Sequence, residues 1–94
     1  MKVVGKGLLD DFSRVHADAR SQIALWLYEV EDAEWKTPSD IKERYSHASF
    51  VADNRVIFNL KGNKYRIDVK VSYKIQVVMI VRVGTHTEYD KWRF

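Results

Sequence analysis

Two alternating runs separated by four polar residues limit what this chain can fold into. From Arg55 to Leu60, Val56, Phe58 and Leu60 fall on one side and Arg55, Ile57 and Asn59 on the other, the two-residue period of a strand with one face in a core. Lys61-Gly62-Asn63-Lys64 then reads as a tight hairpin turn in which Gly and Asn supply positive φ at least steric cost. The following run alternates again, with Tyr65, Ile67, Val69, Val71 and Tyr73 opposed to Lys64, Arg66, Asp68, Lys70 and Ser72. After a short connection near Lys74, Gln76 to Val83 is almost continuously apolar, as expected of a central strand. Three antiparallel strands follow from this pattern.

The preceding half has a different period. From Lys6 to His16, Leu8, Phe12 and Val15 recur at i, i+4 and i+7 beside Leu9, an amphipathic helix with His16 at its C-terminal end, where a cation complements the dipole. Asp18 is placed to N-cap a second helix reaching about Ala33, whose shared face is Ile23, Trp26, Leu27, Val30 and Ala33. Glu29, Glu31, Asp32 and Glu34 crowd its end against the dipole, so packing must hold it. Thr37-Pro38-Ser39-Asp40 starts a short third helix with Thr at N-cap and Pro at N1, from which Ile41 and Tyr45 point inward. Ser46-His47-Ala48-Ser49 releases the chain towards the sheet, and Lys2-Val3-Val4 reads as a brief first strand or extended entry segment. The expected fold class is α+β in one domain, residues 1–94, with two to three N-terminal helices packed on a twisted, mainly antiparallel sheet.

Composition narrows the function classes. There are no cysteines, which excludes disulfides and thiolate metal sites. No apolar run approaches the roughly 18 residues of a membrane span, and Met1 to Gly5 is too short for a signal peptide, so a cytoplasmic location without membrane attachment is expected. The net charge is only +3, but it is unevenly spread: residues 1–47 hold 7 Lys and Arg against 9 Asp and Glu, whereas residues 48–94 hold 9 against 4. The strand-rich half is therefore the basic one, and a basic sheet face suits polyanions. Ordinary solvated surfaces also reach this charge.

Gly84-Thr85-His86-Thr87-Glu88-Tyr89-Asp90-Lys91 follows the last apolar run and offers an imidazole, a phenol and an ammonium within six residues. Thr85-His86-Thr87-Glu88 is also a capping box for a short helix, a reading compatible with chemistry at His86. If the hairpin turn centres on Gly62-Asn63, Asn59 lies opposite Arg66 on the face that also carries Lys61 and Lys64. The last strand returns antiparallel, bringing His86 and Tyr89 to the edge where Asn59, Asn63, Lys64 and Arg66 lie. Register decides whether Arg82 joins them, since a one-residue shift flips it to the other face.

Such a set is rich in cations and amides and poor in carboxylates. A magnesium nuclease needs several Asp or Glu ligands, and three dispersed histidines without cysteine make a poor zinc site, so no metal site or cofactor is expected. What these groups suit is cleavage of RNA by its own 2′-hydroxyl, with protein groups supplying proton transfer and charge. His86 would exchange the proton with the attacking hydroxyl or the leaving 5′-oxygen and Tyr89 would assist. Arg66 and Lys64 would stabilise the pentacoordinate phosphorus, each by about 3 kcal/mol if they act as other preorganised donors do. Asn59, Lys61, Asn63, Lys64, Arg82 and Lys91 are the candidate substrate-binding residues.

The blocks Val56-Ile57-Phe58-Asn59-Leu60-Lys61-Gly62-Asn63-Lys64-Tyr65-Arg66 and Thr85-His86-Thr87-Glu88-Tyr89-Asp90-Lys91 resemble the HigB-type toxins of bacterial type II toxin-antitoxin systems, within the RelE-like superfamily. Trp35 and Asp40-Ile41-Lys42 also fit. The resemblance implies a small RelE-like domain and a ribosome-dependent mRNA endonuclease that halts translation. It further implies neutralisation by a helix-turn-helix antitoxin of the HigA type and joint autoregulation of a shared operon. His86, Tyr89 and Arg66 are supported as site residues without assignment of their roles. The rival class is a basic α+β module that binds RNA or a protein partner and cuts nothing; a titratable His86–Tyr89 pair is what such a binder does not need.

Overall fold

The computed structural model describes residues 1–94. A five-stranded sheet of order β1-β5-β4-β3-β2 organises the molecule, from β1 (Lys2–Val4), β2 (Ser49–Val51), β3 (Arg55–Leu60), β4 (Tyr65–Ser72) and β5 (Val77–Thr85). The three expected strands are its centre, paired antiparallel, with Asn59 opposite Arg66 as the alternation requires. Two short edge strands complete it, which makes the sheet mixed. β1 runs parallel to β5, and β2, absent from the sequence reading, pairs antiparallel with β3. Three residues with an exposed Phe50 give no alternation to read; the hairpin forms because Asp53 and Asn54 accept φ of 62° and 60°.

The helices are α1 (Lys6–Val15), α2 (Arg20–Asp32), α3 (Pro38–Arg44) and the C-terminal α4 (His86–Tyr89), with a 3₁₀ turn at Ala17–Ala19. Thr37 and Asp40 close the capping box of α3, and Thr85 and Glu88 that of α4, both as their sequences dictate. Two expectations fail on the helical side. Leu8 and Val15 are exposed, and α1 instead turns Leu9 and half-buried Phe12 inward, an i, i+3 pair. Asp18 does not cap α2, which begins after the 3₁₀ turn with Ala19 at its N-cap. Its carboxylate accepts hydrogen bonds from Lys64 Nζ at 2.7 Å and the Tyr65 hydroxyl at 2.6 Å, where an ionised partner and a phenol offer more than two helix amides.

The inner face of the sheet is apolar and covered by helices. Val56, Phe58, Leu60, Tyr65, Ile67, Val69, Val71, Val78 and Ile80 meet Leu9, Ile23, Trp26, Val30 and Ile41 in one core. Trp26 and Trp35 both pack on Phe58, with ring centroids 5.3 Å and 6.1 Å away. Each fully buried large apolar side chain contributes about 1.5–3 kcal/mol, which is how α2 survives its acidic end. That end is also answered by charge: the Met1 ammonium donates to Ala33 O at 2.6 Å, Lys6 Nζ pairs with Glu31 at 2.7 Å, and Arg44 pairs with Glu29. No helix is long and apolar enough to cross a membrane.

A bulge in β5 decides the outer face. Ile80 lies opposite Val69 and Arg82 opposite Asp68, so Val81 is one residue too many for its partner strand. Unbroken register would have turned Arg82 into the core. The shift lies inside the strand and not in the preceding turn, and it sends Arg82 and Gly84 to the side of Arg66 and Asp68.

Candidate active site

Local chemistry places each group. The turn between β3 and β4 holds Lys61 and Gly62 at φ of 52° and 65°, so the positive angles belong to Lys61 and Gly62 and not to Asn63. A lysine side chain in that region costs about 1 kcal/mol, offset here by the hydrogen bond its N–H donates to Gln22 Oε1. At the far end of β5, Gly84 lies opposite Arg66 and Thr85 opposite Tyr65, and the His86 N–H donates to Lys64 O at 2.9 Å. The 61–64 turn, the start of β4 and α4 thus meet at one rim of the sheet.

Arg66 is 7% exposed and stands beneath Tyr89, its guanidinium carbon 5.0 Å from the ring centre. Its Nη1 donates to Asn63 O at 2.6 Å and Tyr65 O at 3.3 Å, no carboxylate pairs with the charge, and Nε and Nη2 are left to solvent, since Trp26 Nε1 is the only buried side-chain donor without a partner. Tyr89 in turn meets Trp92 edge to face at 5.6 Å. Trp92 crosses the strand above Gly84, where a methyl group would stand 2.7 Å from the indole; only glycine admits the ring so close.

His86 opens on the neighbouring side. It lines a cleft of about 420 Å³ with His16, Asn63, Lys64, Thr85 and Thr87. Arg66 does not line that cleft. The two are joined through Asn63, whose carbonyl holds Arg66 and whose residue walls the histidine cleft. Asp90 Oδ2 lies 3.3 Å from His86 Nδ1 across one turn of α4, on the edge of the ring that leaves Nε2 for a substrate.

The candidate binding residues divide. Asn59 Nδ2 donates to Asn63 Oδ1 at 3.3 Å, fixing both amides beside the turn. Lys61 and Lys91 are exposed without ion pairs. Lys64 is engaged by Asp18 instead of projecting freely beside Arg66; the ion pair holds the Asp18 carboxyl at a pKa of about 2 and raises that of Lys64. Arg82 is on the outer face but away from the histidine. Its Nε donates to Asp68 at 2.8 Å, and Trp92 and Phe94 lie 4.4 Å and 5.2 Å from its guanidinium carbon. Arg55 grips both oxygens of Asp68, Nε donating to Oδ1 at 2.9 Å and Nη2 to the Oδ2 that Arg82 shares, so this buried carboxylate serves two arginines.

Sequence reasoning passed over two residues. Asp90 was legible as the i+4 partner of His86 on a helix. His16, 70 positions earlier, carries no local signal; its ring stacks on Phe12 at 4.3 Å and reaches the cleft only because α1 ends there.

The model of the HigB toxin family, described as the RelE-like toxic component of a toxin-antitoxin system, matches residues 19–92. The chain belongs to this family. It is a toxin component with an antitoxin as its implied partner, and the match covers the 61–64 turn, Arg66 and all of α4. RelE-like membership points to endoribonuclease activity in general terms. Among curated proteins, none matches the chain.

Proposed function

We propose that this toxin cleaves messenger RNA on the translating ribosome, in the cytoplasm, by 2′-hydroxyl attack without a metal ion, and that a helix-turn-helix antitoxin of the HigA type neutralises it. The supporting observation is Arg66: a nearly buried guanidinium with two unused donor nitrogens and no counter-charge, at a rim shared with a histidine. A guanidinium whose free donors face solvent at this rim, with no counter-charge from the chain, is open to a phosphate.

In this reading the scissile phosphate sits against Arg66 under Tyr89, which walls off water. His86, oriented by Asp90, takes the proton of the 2′-hydroxyl through Nε2 from across Asn63 or returns one to the 5′-oxygen. Arg66 answers the charge that grows on phosphorus. The neighbouring carboxylates are already engaged: Asp90 by His86, Asp18 by Lys64 and Tyr65, and Glu88 by the Thr85 N–H at 3.0 Å, which supports a metal-free reaction.

Induced expression of His86→Ala in growing cells tests it. Loss of toxicity and of new 5′ ends on ribosome-bound transcripts, with ribosome association retained, is the expected result. Full toxicity would confine His86 to its helix cap. A message with one deoxynucleotide at the mapped cut should resist cleavage, and persistence of that cut discards the mechanism.

A further inference from the structure

On the opposite side of the 61–64 turn from His86 lies a second cleft of about 450 Å³ between the α3 end and β3. Arg44, His47, Lys61 and the Tyr45 phenol supply its titratable groups, Gln22, Asn59 and Asn63 its amides, and no Asp or Glu lines it. Arg44 is tied to Glu29 beneath, but Lys61 and His47 have no ion pair. The Lys61 N–H is also held by Gln22, which fixes that position at the mouth of the cleft. Asn63 walls both this cleft and that of His86.

We infer that this cleft is a second subsite for single-stranded RNA, in which the phosphodiester backbone flanking the cut crosses the 61–64 turn and is gripped by Lys61, His47 and the surrounding amides. The inference rests on the proposed nuclease reading and extends it to nucleotides beyond the reacting one. RNA fits better than a protein partner because Tyr45 and Ala48 are the only apolar lining residues, whereas protein interfaces are anchored by an apolar centre. Amide donors and exposed cations without sequence-reading geometry match backbone contacts.

The test uses the full chain, ¹⁵N-labelled, titrated with cleavage-resistant 2′-O-methyl oligoribonucleotides of three and twelve nucleotides and, separately, with poly-L-glutamate. The twelve-mer should shift amides of residues 44–48 and 59–63 together with 84–89, and the trimer only the second group. His47→Glu combined with Lys61→Asn, which keeps a residue tolerant of positive φ, should weaken the twelve-mer about tenfold and lower its salt slope by roughly 1–2, while His47→Glu alone leaves trimer affinity within about twofold. Twelve-mer shifts confined to 84–89, unchanged affinity in the double variant, or shifts at 44–48 with poly-L-glutamate but not RNA would each overturn the subsite. Shifts at 44–48 and 59–63 without any at 84–89 would support the cleft and sink the rim reading, so the two failures are distinguishable.

Discussion

Three arginines share the outer face of one sheet, and they have been treated in opposite ways. Arg55 and Arg82 divide the fully buried Asp68 between them, and Phe94 lies over both, 5.4 Å and 5.2 Å from their guanidinium carbons. Arg66, two residues along β4 from Asp68, is more buried than either and has only carbonyls and a tyrosine ring. The first arrangement is self-contained: charge, counter-charge and aromatic cover are all supplied by the chain. The second is open to an anion. Charge on a surface therefore says little about binding until its partners are counted, and here the count separates a structural device from a candidate site one pleat away.

The largest effect expected from disturbing this contrast is at Asp68. Asp68→Ala leaves two guanidinium groups facing each other without an anion and should cost about 3–5 kcal/mol in chemical denaturation. A loss below about 1 kcal/mol would show that the triad is ornamental. Arg66→Ala should do the reverse, lowering cleavage about 10²–10³-fold while costing only about 1–2 kcal/mol of unfolding free energy, since carbonyl hydrogen bonds and a cation–π contact are lost but no internal ion pair. Equal damage to folding and cleavage would erase the distinction between the two regions. Gly84→Ala is smaller: its methyl must displace the Trp92 ring, and a cost of about 1–2 kcal/mol with a shifted tryptophan emission is expected. Unchanged emission would mean that the C-terminal arm does not lie there in solution.

The smallest effect is a pH dependence on the helical side of the rim. The native Asp18 pKa of about 2 lies below its ordinary value of 3.8, so the native state binds fewer protons than the unfolded chain in that interval. The stabilisation is complete above about pH 4 and is lost as pH falls towards 2. Asp18→Asn should flatten the acid limb of a stability–pH curve in that window and leave the neutral region little altered in slope. An unchanged limb would break the assigned Lys64–Asp18–Tyr65 contact.

The parts legible in the sequence are those fixed by local chemistry. A turn centred on Gly62-Asn63 set the register of β3 on β4, so Asn59 and Arg66 could be paired before any coordinates, and the Thr37 N-cap with Pro38 and the capping box at Thr85 named both short helices. Alternation could not place the bulge at Val81, because Val77 to Val81 offers apolar side chains in either register and only Arg82 beyond them differs. It could not show that Lys64 belongs to Asp18 or that His16 arrives beside His86, since those depend on where α1 ends in space. The unpaired state of Arg66 is likewise a property of distances: sequence puts a carboxylate two residues away, and only the fold reveals that Arg55 and Arg82 have claimed it.

Val81 has an evolutionary corollary. Because a single surplus residue there turns the last part of β5 over, substitutions along that strand leave the aim of Arg82, Gly84 and α4 intact, whereas deleting one residue between Ile80 and Arg82 would swap what faces the helices with what faces outward. The spacing of this stretch should therefore tolerate less change than its spelling, and drift in the lineage should preserve its length long after its letters have changed.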